Sequence, residues 1–162
     1  GHKHQKGEKV MEICDNSCNI LAPLVIASVN NHDNVLFNAS FFGLLETFDL
    51  LGIDLKGSAI TFDAGFDTEV NRQTIRGQGL IPIIKYNRRG IRNPEKLEAL
   101  FALNDEQQET YKERYRIERC FAWEDTYRRL VTRYEKLPIM HMGFKELAYS
   151  MINLRSLMGK RR

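Results

Sequence analysis

Tyr111, Arg114 and Glu118 stand three and four residues apart in the stretch Tyr-Lys-Glu-Arg-Tyr-Arg-Ile-Glu. On a helix this spacing aligns the three side chains along one stripe. A carboxylate one turn after an arginine, within a basic helix, can hold a cation beside a phosphate. A second acidic feature lies upstream at Thr61-Phe-Asp-Ala-Gly-Phe-Asp67, where the short apolar run Ser58 to Phe62 stops at Asp63. The carboxyl ends of strands are where α/β sheets bind ligands. Carboxylates drawn from two elements suit Mg²⁺ or Mn²⁺, whose hard-cation chemistry calls for oxygen ligands. Paired ions of this kind activate an attacking oxygen and stabilise a leaving one in phosphodiester displacement.

Taken singly, each piece has a plainer explanation. An Asp before a Gly-containing turn is a common turn former. Arg114 and Glu118 as a surface i,i+4 pair would add only about 0.2–0.5 kcal/mol. Only the set carries weight.

The elements that must position these residues follow from hydrophobic patterning. Glu8 to Asp15 reads as a strand, and Ile20 to Val29 as a buried one. Asn30 to Asp33 breaks the pattern. Phe37, Phe41, Leu44, Leu45, Phe48 and Leu51 then recur at helical spacing, with Gly52 as a stop. After the strand ending at Asp63, Gly65 permits a tight turn and Asp67 can cap a helix to about Gln78. Leu80 to Ile84 is another strand, with Pro82 favouring an edge or a strand start. Lys85 to Arg92 is a basic loop, and Asn93-Pro94 can open a helix. A long helix is expected over about Glu109 to Tyr134. Its core stripe would be Ile117, Cys120, Phe121, Tyr127, Leu130, Val131 and Tyr134, and Pro138 would end it. A last helix is expected over about Phe144 to Met158, followed by the basic tail Lys160-Arg-Arg162. The alternation of strands and helices predicts an α/β fold, and the absence of a visible linker predicts one domain over residues 1–162.

The bulk composition narrows the classes. The chain has 162 residues and 43% hydrophobic content, enough for one core. No run of about 18 apolar residues is present, so no membrane helix is expected. Cys14, Cys18 and Cys120 are odd in number and unpaired in spacing, which predicts reduced thiols in a cytoplasmic protein. His2, His4 and His32 with the cysteines match no common zinc spacing. Cys120 is expected to be a packed thiol, and Phe62, Phe66 and Trp123 to be core. Charge is unevenly spread. Residues 1–80 carry 6 Lys and Arg against 10 Asp and Glu, a balance of −4, whereas residues 81–162 carry 18 against 11, a balance of +7. The basic half suits a polyanion, and Lys85, Arg88, Arg89 and Arg92 are its densest loop.

Together these pieces resemble the DDE superfamily of bacterial insertion-sequence transposases, which have a ribonuclease H-like catalytic domain. Asp63-Ala-Gly-Phe-Asp67 looks like the family's Asp-x-Gly-Tyr/Phe-Asp turn. Leu80 to Arg89 looks like its following strand and basic residues. Tyr111, Arg114 and Glu118 look like its Tyr-x-x-Arg-x-x-x-Glu signature, and Arg119-Cys-Phe-Ala-Trp, Arg128-Arg129-Leu and Arg133 to Lys136 like the continuation. Asn31-His-Asp33 resembles its His-Asp turn. The resemblance covers nearly the whole chain.

It implies a ribonuclease H-like mixed sheet flanked by helices, with a long C-terminal helix carrying the Glu. It implies DNA transposition by metal-dependent strand cleavage and strand transfer, with a two-metal Mg²⁺ or Mn²⁺ site. Asp63 and Glu118 would be the second and third catalytic, metal-holding carboxylates. Tyr111, Arg114, Arg119, Arg128, Arg129, Lys85, Arg88 and Arg89 would face transposon-end or target DNA. A bacterial, nucleoid-associated setting is implied, with a homo-oligomer or a complementing N-terminal transposase product as protein partner. Two departures stand out. The family often has Lys seven residues after the Glu, where this chain has Asp125. The family's first Asp, on the first strand, has no counterpart: Asp15 and Asp33 fall in the contexts of the second strand and the His-Asp turn. The expectation is a chain beginning after that first strand, with an incomplete metal site and no activity by itself. The competing expectation is an inactive remnant that binds DNA or a transposase subunit. A junction resolvase on the same fold fits the Tyr–Arg–Glu signature less well.

Overall fold

A computed structural model describes residues 8–28, 31, 33–87 and 102–159. His2, His4, His32, Arg88, Arg89, Arg92, the helix expected from Asn93 and the tail from Lys160 lie outside the described residues. These group into two compact units, one formed by residues 1–47 with 115–162 and the other by residues 48–114.

In the first unit, β1 (Glu8–Met11) pairs antiparallel with β2 (Val25–Ser28), Val10 opposite Ile26. The strand expected over Ile20 to Val29 is thus confined to its last residues. Ahead of it, the Asp15 carboxylate accepts backbone N–H groups of Ser17 and Asn19 at 2.7 and 2.8 Å. A side chain that satisfies local donors in this way competes with ladder pairing. Helix α1 (Asp33–Leu50) follows, with Phe37 and Phe41 fully buried and their rings stacked at 5.5 Å. It stops where Gly52 adopts φ 67°, the left-handed geometry that glycine supplies at a helix end.

The second unit is built on a βαβ element. β3 (Ala59–Phe62) runs parallel to β4 (Ile81–Ile84), Phe62 opposite Ile84, and α2 (Glu69–Gly77) connects them. Parallel strands require such a crossover. Pro82 is the second residue of β4, near the strand start. The cap of α2 differs from expectation: Thr68, not Asp67, accepts the N–H of Asn71, at 3.1 Å. Gly65 lies in a single 3₁₀ turn without positive φ, so its conformational freedom is not what the turn uses. Antiparallel and parallel pairings, the two senses of a mixed sheet, therefore occur in separate units. The fold class is α/β and rich in helix, in keeping with a ribonuclease H-like architecture.

The helix expected over Glu109 to Tyr134 is a succession of shorter segments. These are α3 (Asp105–Lys112), a 3₁₀ turn at Glu113–Tyr115, α4 (Arg116–Glu124) and α5 (Arg128–Val131). Asn104 and Gln107 form a reciprocal capping box at the start of α3. The breaks shift the helical phase, so the expected core stripe holds only in part. Cys120 and Leu130 are buried, whereas Phe121, Val131 and Tyr134 are exposed. Pro138 opens the long C-terminal helix α6 (Pro138–Leu157) instead of ending the one before it. This is the first-turn position where a missing N–H costs nothing. Glu118 therefore sits on α4, not on the long helix. Cys18, Leu24, Cys120, Met142, Tyr149 and Ile152 form the core of the first unit, with Trp123 and Tyr127 packed against it. The three cysteines are free thiols. No described helix is long and apolar enough to cross a membrane.

Candidate functional site

The turn bearing Asp63 is anchored from below. β3 ends in buried Phe62, and the next residue, Asp63, projects a side chain that is 60% exposed. Phe66, one 3₁₀ turn on, returns its ring to Phe62 at 5.5 Å. Asp67 then turns inward. Its Oδ1 accepts Nε of Arg72 at 2.7 Å, and its Oδ2 accepts the backbone N–H of Asn87 at 2.8 Å. Arg72 also donates through Nη2 to the Ile84 carbonyl at 2.8 Å. The Asp67 and Arg72 side chains are only 9% and 5% exposed. One buried ion pair thereby ties the Asp63 turn, the first turns of α2 and the end of β4 together. The Asn71 side chain adds a hydrogen bond to the Phe66 carbonyl at 2.8 Å.

Arg114 reaches this turn from the chain that follows α3. Its Nη1 lies 2.5 Å from Asp63 Oδ1. The same guanidinium lies 5.6 Å from the centroid of the Tyr111 ring, and Lys85 Nζ lies 4.8 Å from that centroid. Cations within about 6 Å of an aromatic centroid are attracted by its quadrupole. Asp63, Lys85, Tyr111 and Arg114 thus form one constellation on three elements of the second unit. Burial pushes the Tyr111 hydroxyl above its ordinary pKa, so it is a hydrogen-bond donor at neutral pH. The arrangement presents a strand-end carboxylate, two fixed cations and a hydroxyl: it can bind an anion beside an oxygen ligand for a hard cation.

Glu118 lies in the first unit, exposed on the first turn of α4. Arg119 is exposed on the same helix, 5.7 Å from the Tyr115 ring centroid. Arg128 is exposed at the start of α5. Arg129 donates Nε to Glu135 at 2.9 Å and lies 4.5 Å from the Phe144 ring centroid, so its guanidinium is engaged within the fold. Among the described residues no group of three His, Cys, Asp or Glu is gathered that could hold a metal. Asp63 and Glu118 match a hard divalent cation in donor type and in exposure, although Arg114 occupies Asp63 Oδ1.

Sequence reasoning missed Asp67 and Arg72 as the anchor of the turn. The available signal was Arg72 itself, one turn before Ile75 on the face of α2 that also carries Asn71. A basic residue on a buried stripe requires an acidic partner.

The chain matches the family described as Transposase DDE domain over residues 1–143. No curated protein and no solved structure matches it.

Proposed function

Since this chain belongs to the transposase DDE domain family and so has a role in DNA transposition, we propose that it supplies part of a site for metal-dependent DNA strand cleavage and strand transfer. Asp63 and Glu118 are the carboxylates that would hold Mg²⁺ or Mn²⁺. When bound, such ions activate the attacking oxygen and stabilise the leaving one. The observation that carries this reading is the ion pair between Arg114 and Asp63. It joins the Tyr-x-x-Arg segment to the strand-end carboxylate, two parts of the signature that lie far apart in the chain.

The residues divide the work by their chemistry. Asp63 offers oxygen ligands from a turn that the Asp67–Arg72 pair keeps rigid. Arg114 offsets the charge of Asp63 while no cation is bound and is close enough to take a phosphate oxygen once one is. Tyr111 holds Lys85 and Arg114 over its ring, which restricts two flexible cations that would otherwise lose entropy on meeting DNA. Lys85, Arg119 and Arg128 are exposed and would contact backbone phosphate, giving affinity without sequence preference. Arg88 and Arg89 extend the basic loop in sequence. Glu118 has Arg119 as its chain neighbour, which sets a phosphate-binding cation beside a metal-binding acid.

The test is strand cleavage by the purified protein on DNA carrying the ends of its own element, with Mg²⁺ or Mn²⁺. Asp63→Asn and Glu118→Gln should each abolish cleavage while DNA binding persists. Undiminished cleavage by either variant refutes that residue's role.

A further inference from the structure

The first unit buries an ionic cluster that the proposed chemistry does not use. Glu12 follows β1, Glu124 ends α4, and Lys145 and Tyr149 lie one turn apart on α6. Lys145 Nζ donates to both oxygens of Glu124, at 2.6 and 2.7 Å, and more weakly to Glu12 Oε1 at 3.2 Å. The Tyr149 hydroxyl lies 2.6 Å from Glu12 Oε2 and in close contact with Glu124 Oε2. The Glu12 side chain is 1% exposed.

Proton counting exposes a deficit. With both acids ionised, two carboxylates face one ammonium, and the buried cluster carries an unpaired negative charge. A tyrosine hydroxyl has one hydrogen, so it can donate to only one carboxylate. The other contact would then set two lone-pair oxygens against each other. A single further proton removes both problems. Glu124 takes the two short Lys145 contacts and is the ionised member. Glu12 has only the longer one. A proton on Glu12 Oε2 donates to Tyr149 Oη, Tyr149 donates to Glu124 Oε2, and Lys145 spans both acids. The cluster is then neutral with every donor used.

We propose that Glu12 is held as a neutral carboxylic acid, and that the closed Glu12–Tyr149–Glu124–Lys145 relay is the positioning device for α4, the helix that bears Glu118. The positioning half rests on the reading of Glu118 as a site carboxylate; the protonation half does not. Burial, more than any other influence, raises the Glu12 carboxyl above its ordinary 4.5; the nearby Glu124 charge adds to this, while Tyr149 and Lys145 oppose it. Burial and the two carboxylates push the Tyr149 hydroxyl up as well, keeping it a donor. Beyond these groups, Cys14 lies within electrostatic reach of Glu12, Asp15 and Arg116. A carboxyl raised on folding contributes stability that is fully present below its ordinary pKa. That contribution is lost as pH rises through the folded value. Alkaline pH should therefore loosen the attachment of α4.

The test uses infrared spectroscopy and thermal unfolding across pH, with hydrogen exchange read over α4. The wild-type protein should show a buried carboxylic-acid carbonyl band at neutral pH that Glu12→Gln removes. Glutamine can donate to Tyr149 and accept from Lys145 as the acid does. Glu12→Gln should therefore keep the neutral-pH melting temperature and flatten its decline at higher pH. Glu124→Gln strands Lys145 and should melt several degrees lower. Exchange in α4, corrected for its intrinsic pH dependence, should rise as the wild-type band titrates away, and stay flat in Glu12→Gln. An absent acid band in the wild type overturns the protonation, and that measurement needs no variant to fold. So does a Glu12→Gln protein that is unfolded or as unstable as Glu124→Gln. Exchange in α4 that ignores the titration overturns the positioning. Glu118→Gln should leave the band and the exchange unchanged, so a failed cleavage test would be distinguishable from a failed relay.

Discussion

Arg72→Met isolates the pair that holds the Asp63 turn. Methionine keeps the apolar stem, so little cavity is opened, and the loss is confined to the guanidinium. Three contacts go with it: Nε to Asp67 Oδ1 at 2.7 Å, Nη2 to the same oxygen at 2.7 Å, and Nη2 to the Ile84 carbonyl at 2.8 Å. What remains is a carboxylate only 9% exposed, with the Asn87 N–H as its recorded partner. An exposed pair would be worth about 0–1 kcal/mol. Removing one member of a buried pair costs about 3–5 kcal/mol, most of it the stranded charge. For a chain of this size that corresponds to roughly 6–20 °C in melting temperature. Urea unfolding followed by circular dichroism should show a lower midpoint with an unchanged slope. Asp67→Asn added to Arg72→Met should recover part of the loss, because it removes the charge left behind. A cost for Arg72→Met below about 1 kcal/mol, or a double variant no more stable than Arg72→Met, would refute the argument. The turn bearing Asp63 would then be held by its aromatic contacts alone.

Two further perturbations probe neighbouring parts of the same unit. Thr68→Ala removes the acceptor that caps α2 at 3.1 Å and should cost about 1 kcal/mol in urea unfolding; an unchanged midpoint would show that the cap contributes nothing. Lys85→Ala should weaken DNA binding about equally across sequences and lower the slope of log affinity against log salt by about 1; an unchanged slope would exclude Lys85 from phosphate contact.

The two aspartates of the Asp63-Ala-Gly-Phe-Asp67 turn show which parts of the fold were legible in the sequence and which were not. Asp63 was readable as a strand-end acid because the apolar run before it stops abruptly, and β3 does stop there. Asp67 was read as a helix cap, since aspartate before a helical pattern is a strong local signal. Local signals cannot see a partner on the next turn of the helix and an amide beyond the next strand. Once Arg72 and the Asn87 N–H compete for its oxygens, Asp67 is withdrawn from capping and Thr68 takes that place. The broken helix after Asn104 has the same origin. Its apolar residues permit a continuous stripe through Tyr134, but Cys120 and Trp123 pack into a core completed by Cys18 and α6, and that core is assembled from distant sequence. The signature of Tyr111, Arg114 and Glu118 survives these misreadings because its first two members do not need one continuous helix. Tyr111 lies on α3 and Arg114 in the 3₁₀ turn after it, and the change of helix type brings the guanidinium to Asp63. The spacing that looked like a helical stripe is thus also the spacing of a turn. In this fold it aims the arginine at a carboxylate on another strand rather than at the glutamate four residues on.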